Sequence, residues 1–268
     1  MPDIIKIYFP EHLKADIKKL RTELSMQFLQ RDLLLEEGKN IETAYLLRFG
    51  ALEYKAYEAQ CNYYRAKRRL AIIIAKRNRQ EKIDLSEIER ELDEEFEAYK
   101  RTLEEKLRDI NKAIDRSKMD VLSEVETKEL KKLYRTIVKL LHPDLNPDQT
   151  QVDKDLFIRA VEAFQDGDLK TLRIIYDILE GKALEDDLDK VSDNEALVQE
   201  KARLEKLLAE LNEEIKKIKE TFPFTLKVYL DDDKKATERE KDLTDLLNVY
   251  REGIAQYEKE IEKYLKSR

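Results

Sequence analysis

Apolar residues recur every three or four positions along most of this chain, the period of an amphipathic helix. Between Glu11 and Glu37, Leu13, Ile17, Leu20 and Leu24 share one face, and Gly38-Lys39-Asn40 reads as a short turn. A second helix is predicted from about Ile41 to near Arg79, broken at most mildly at Gly50, and it carries Tyr45, Phe49, Tyr54, Tyr57, Tyr63 and Tyr64. A third begins at Asp84-Leu85-Ser86, where Ser86 and Glu89 have the spacing of a capping box. Its apolar positions are Ile88, Leu92, Phe96, Tyr99, Leu103, Leu107, Ile110 and Ile114, close to an eleven-residue repeat that packs nearly straight. Three helices joined by short turns pack as an antiparallel bundle, expected over residues 1–118.

The middle of the chain changes character. Leu130, Leu133, Tyr134, Ile137 and Leu141 make one apolar stripe. Lys131, Arg135 and Lys139 sit four apart beside it, with Lys132 adjacent, and make a cationic stripe. Thr127 is the expected N-cap of this helix. Pro143 moves His142 out of the helical region and ends it, and Asp144, Asn146 and Pro147 favour a turn. A helix from about Asp153 to Gln165 follows, and Phe157, Ala160 and Phe164 should complete the core of this hairpin. Gly167 suits a left-handed C-terminal cap, and Asp168 starts another helix. Leu169, Leu172, Ile175, Tyr176 and Leu179 are its buried face, and Gly181 ends it.

Residues 182–192 form an acidic linker. Ser192 and Glu195 again have capping-box spacing, and two heptad runs follow over residues 193–268: Leu204, Leu208, Leu211, Ile215 and Ile218, then Leu243, Leu247, Tyr250, Ile254, Tyr257, Ile261 and Tyr264. The connection is long enough for an antiparallel coiled-coil hairpin, and a homodimer through the same heptads is the second arrangement. Between the runs lies an apolar stretch from Phe222 to Leu230. It either closes the hairpin tip or packs on another segment, or it offers Phe222, Phe224, Leu226 and Tyr229 to a client protein.

Composition narrows the class. Charged residues make up 41% of the 268 positions, against only 5 Gly and 5 Pro, which points to an all-α protein rich in long helices. The single cysteine, Cys61, excludes a disulfide framework within the chain and a multi-cysteine zinc site. No metal or other cofactor is expected. No uncharged run approaches the ~18 residues of a membrane span, and the start lacks signal-peptide regions, so the expected setting is the cytoplasm, with no membrane partner. A net charge of −7 disfavours nucleic acid as the partner of the whole molecule. The basic run Arg65, Lys67, Arg68, Arg69, Lys76, Arg77 and Arg79 faces an acidic run, Glu87 to Glu97, across the expected hairpin. Mutual charge matching is the simpler reading, and a phosphate-binding patch interleaved with Tyr63 and Tyr64 is the other. No phosphate loop or nucleophile elbow is present, and the only other histidine is His12, so the chain is not expected to be an enzyme.

One resemblance gives this pattern a meaning. His142-Pro143-Asp144, preceded by Tyr134-Arg135 and Lys131-Lys132 and followed by Asn146-Pro147 and then Phe157, Ala163 and Phe164, resembles the J-domain of DnaJ-like co-chaperones over roughly residues 121–179. Thr136 and Leu140 stand at helix II positions that are often basic in that family, and its helix I signature is not visible before Thr127. The resemblance implies a central J-like hairpin over residues 119–181 that regulates the ATPase of a DnaK-type chaperone. Lys131, Lys132, Arg135 and Lys139 would dock on an acidic chaperone surface. His142, Pro143 and Asp144 would act from a solvent-facing bend, and the flanking helices would recruit a client. The alternative is a scaffolding coiled-coil protein that keeps a vestigial J-like fold.

Overall fold

In the computed structural model the described residues are 10–118, 122–180 and 194–266, and every regular element among them is helical. In order they are α1 (Pro10–Tyr45), a π-helical turn (Leu46–Gly50), α2 (Ala51–Asn78), α3 (Leu85–Glu95), α4 (Glu97–Ser117), α5 (Glu124–Leu141), α6 (Gln151–Gln165), α7 (Leu169–Glu180), α8 (Asn194–Glu220), a 3-10 turn (Phe224–Lys227), α9 (Val228–Asp231) and α10 (Asp233–Lys266). None is long and apolar enough to cross a membrane. The chain is all-α, as its periodicity requires.

Its division is not the four consecutive segments that the sequence suggests. One compact unit is Met1–Gly38 with Asp120–Phe224, and the other is Lys39–Met119 with Thr225–Arg268. The expected linker 182–192, Gly181 and the Ser192 cap lie outside the described residues.

The first unit has one core. Leu13, Ile17, Leu24 and Phe28 of α1 pack with Leu204, Leu211 and Ile215 of α8 and with the inner faces of α5, α6 and α7. On α5–α7 that face includes Tyr134, Ile137, Leu141, Ala160, Phe164 and Leu172, while Leu133 and Phe157 are half-buried against it. Tyr134 stacks on Phe164 with centroids 4.0 Å apart. Full burial of each large apolar side chain here contributes about 1.5–3 kcal/mol. Helix α8 runs parallel to α1: Lys201 pairs with Asp16 at 2.6 Å, and farther along Pro223 lies against Gly38. Gly38 is therefore no turn. A Cβ there would sit 3.1 Å from the Pro223 ring, so glycine permits a close approach inside a continuing helix.

The second unit has two antiparallel partners and one parallel one. Helix α3 returns along α2, and α4 continues back toward the π-turn, where Ile110 meets Gly50. One residue, Phe96, interrupts the long third helix that the spacing predicts. Asp84 caps α3 by accepting from the Ser86 and Glu87 N–H groups, so the expected Ser86–Glu89 box is not the cap. Helix α10 runs parallel to α2. Ala236 packs with Tyr45 and Phe49, Leu247 with Ala56 and Ala59, and Ile261 with Leu70 and Ile73. Tyr63 lies so close to α10 that a Cβ at Gly253 would come within 2.5 Å of its ring. The heptad faces of α8 and α10 are thus buried on α1 and α2 respectively.

Candidate functional site

The site lies where α5 gives way to the loop before α6, inside the first unit. Helix α5 starts one turn before the expected Thr127: the Ser123 hydroxyl accepts from the Glu126 N–H, and Glu126 accepts from the Ser123 N–H at 2.9 Å. It stops at His142, whose ψ of 128° is the extended conformation that a following proline demands. The His142 carbonyl then organises the turn, accepting from the N–H groups of Leu145 at 3.0 Å and Asn146 at 2.9 Å. The Asn146 side-chain amide donates to the Lys139 carbonyl, capping a loose end of α5. Leu145 is buried and pins the loop to the core. Helix α6 begins at Thr150, with Asp153 completing a capping box.

The cationic stripe is where the sequence puts it. Lys132, Arg135 and Lys139 are exposed and Lys131 is half-buried. None of the four forms an ion pair among the described residues. By contrast, Glu129 one turn earlier is held by Arg173 of α7 at 2.7 Å. Four positive charges on one helical face lead directly to Pro143 and Asp144, which are also exposed.

His142 departs from expectation. Its ring is not offered to solvent: the residue is only 7% exposed. It lies flat on Phe28 of α1 with centroids 3.6 Å apart, and Phe157 of α6 meets it edge-on at 5.1 Å. Burial, reinforced by Arg31 and opposed by Asp144 and Asp32, pushes the imidazole pKa down to about 4. Its Nδ1 accepts the Asp144 N–H at 3.2 Å, so the neutral ring carries its proton on Nε2. The imidazole thus belongs to the core, while Pro143 and the Asp144 carboxylate face outward.

Two flanking elements hold this arrangement. On α1, Arg31 stands over Phe28 and pairs with Asp32, which accepts the Tyr134 hydroxyl at 2.7 Å. Burial, and then the neighbouring Asp32 charge, raise Tyr134 well above the ordinary phenol range. On α8, Arg203 donates to the Asp144 carbonyl at 2.8 Å, and Glu200 grips its other side. Burial raises the Glu200 pKa, but Arg203 and Arg21 outweigh that and leave it below the usual carboxylate range. Phe28 had a visible signal, since it stands four residues after Leu24 on the α1 stripe. Arg203, one of many charges on a solvated heptad, had none.

The remaining candidates resolve differently. Phe224 packs on the first unit's core, and Leu226 and Tyr229 pack beside Tyr45 and Phe49 in the second unit's core. Of these four, Phe222 is exposed at 62%, while Phe224, Leu226 and Tyr229 are half-buried. Four cations of the basic run on α2 are matched from α3: Arg65 to Glu89 and Asp93, Arg68 to Glu95, Arg69 to Glu89 and Lys76 to Glu87. These cations have carboxylates where a phosphate would have to sit.

No protein-family model, no curated protein and no solved structure matches the chain.

Proposed function

We propose that this chain is a J-domain-type co-chaperone that docks on a DnaK-type chaperone and stimulates its ATPase. The observation that carries this reading is the uncovered cationic face of α5, ending in an exposed Pro143 and Asp144. Charges placed on a rim in this way set encounter rate and register with an acidic partner surface. Pro143 and Asp144 are then the groups that touch the partner first, and the contact biases the chaperone toward its hydrolysing conformation. The α1 and α8 helices, and the second unit, are left to recruit a client. The test is single-turnover ATP hydrolysis by a DnaK-type chaperone. The wild-type chain is expected to accelerate it, and Asp144→Asn to lose most of that acceleration. A wild-type chain that leaves the rate unchanged in every variant background rejects the reading.

A specific observation favours a second reading, a helical scaffold. His142 is packed like a core residue against Phe28 and Phe157. On that reading the ring only closes the core, and His142→Gln lowers stability without altering any partner contact.

A further inference from the structure

We infer that Phe28 of α1 and Arg203 of α8 are a latch that holds the His142-Pro143-Asp144 loop in a closed state, from which the imidazole must swing out before the loop engages its partner. The inference rests on the co-chaperone reading and names a regulation of that same site.

Three observations converge on the loop. The ring is sandwiched by residues of two helices, with Phe28 stacked at 3.6 Å and Phe157 edge-on at 5.1 Å. The loop backbone is gripped independently, since Arg203 donates to the Asp144 carbonyl at 2.8 Å. Arg203 is itself fixed by two contacts to Glu200, and Glu200 also accepts from Arg21 of α1 at 3.3 Å. Helices α1 and α8 therefore close on the tripeptide from two sides, while the docking cations on α5 stay outside the clamp.

The asymmetry is what makes this a latch rather than occlusion. A partner can settle on Lys132, Arg135 and Lys139 with the loop closed, because nothing described covers them. Pro143 and Asp144 are already outside. The one member withheld is the imidazole, and the hydrogen bond from the Asp144 N–H to its Nδ1 couples ring and loop, so that moving the loop frees the ring. Differential binding to the open loop then draws the equilibrium over. Nothing in α5 or α6 needs to unfold for this, because the helix ends are capped by Asn146 and Thr150 and not by the His142 ring.

The experiment uses the full chain and needs two readouts. The first is carbethoxylation of His142 by diethyl pyrocarbonate, followed by mass spectrometry, with exposed His12 as the internal reference. The second is stimulation of a DnaK-type chaperone's ATPase. The variants are Arg203→Gln, which keeps the core intact, and Phe28→Leu, which keeps an apolar side chain but removes the stacked ring. The latch predicts that Arg203→Gln raises His142 modification relative to His12 by about fivefold, the shift that loss of one ordinary hydrogen bond makes in a two-state equilibrium. It also predicts that both variants stimulate hydrolysis more than the wild type does. Unchanged modification in both variants overturns the latch whatever the ATPase does. Full stimulation by the wild type, matched and not exceeded by the variants, overturns the latch and leaves the docking reading standing. Faster modification with no stimulation by any chain instead rejects the docking reading, so the two failures are told apart.

Discussion

Helices α2 and α5 both carry a dense row of cations, and the fold treats them in opposite ways. On α2, Arg65, Arg68, Arg69 and Lys76 each meet a carboxylate of α3 within 2.8 Å. On α5, Lys131, Lys132, Arg135 and Lys139 meet none among the described residues. A hairpin return placed acids beside the first row. Beside the second row the neighbouring helices offer apolar faces, and the cations are left on the outer side. A run of like charge is therefore ambiguous until its neighbours are known. Neutralised by its own chain it is a seam, and left bare it is a surface on which an acidic partner gains by replacing water.

The largest expected effect sharpens what happens at the end of the bare row. Because the folded chain holds the His142 pKa near 4 and the unfolded chain leaves it near 6.5, the unfolded state binds the extra proton between those values. Stability from this group is complete above about pH 6.5 and is lost as pH falls toward 4, by about 3 kcal/mol in total. Urea unfolding at pH 7 and pH 4.5 should show a loss in the wild type that is smaller in His142→Gln by about 2–3 kcal/mol. An equal loss in both would mean that the ring is already in water.

Next in size is the tie between α5 and α1. Tyr134→Phe removes the hydroxyl that Asp32 accepts and should cost about 1.5–3 kcal/mol in chemical unfolding, since the bond is to a charged and partly buried acceptor. A neutral result would show that water serves Asp32 equally well. The smallest effect belongs to the neutralised row. Arg65→Gln breaks pairs to Glu89 and Asp93 and should lower stability by only about 1 kcal/mol or less, with the loss shrinking as salt is added.

What the sequence made legible divides along physical lines. The α5–α6 hairpin was readable because its signals are local: apolar spacing, a proline that must follow an extended residue, and Gly167, whose φ of 70° matches the left-handed cap expected there. The third helix was read as unbroken because its apolar spacing runs straight through Phe96, where the break takes a single residue. Gly38 was read as a turn because a glycine costs a helix about 1 kcal/mol. Here the Pro223 contact gives it a packing role instead. Which helix covers the α8 and α10 heptads was not legible at all, because a heptad specifies an apolar seam and not the identity of its partner. The burial of His142 has the same origin: the ring's environment is set by Phe28, far away in sequence, and no feature of the tripeptide encodes it.

The most direct test is the equilibrium affinity of the full chain for an ATP-loaded DnaK-type chaperone at low and at physiological salt. It would be measured for the wild type, for Lys132→Glu with Arg135→Glu and Lys139→Glu, and for Arg65→Glu with Arg68→Glu as the matched control on α2. Wild-type binding that weakens with salt, a loss of about tenfold or more on reversing the α5 row, and no loss on reversing the α2 row are the predicted results. A wild-type chain that does not bind, or an α5 reversal that binds as well as the wild type, would contradict the claim that the bare row is a docking surface.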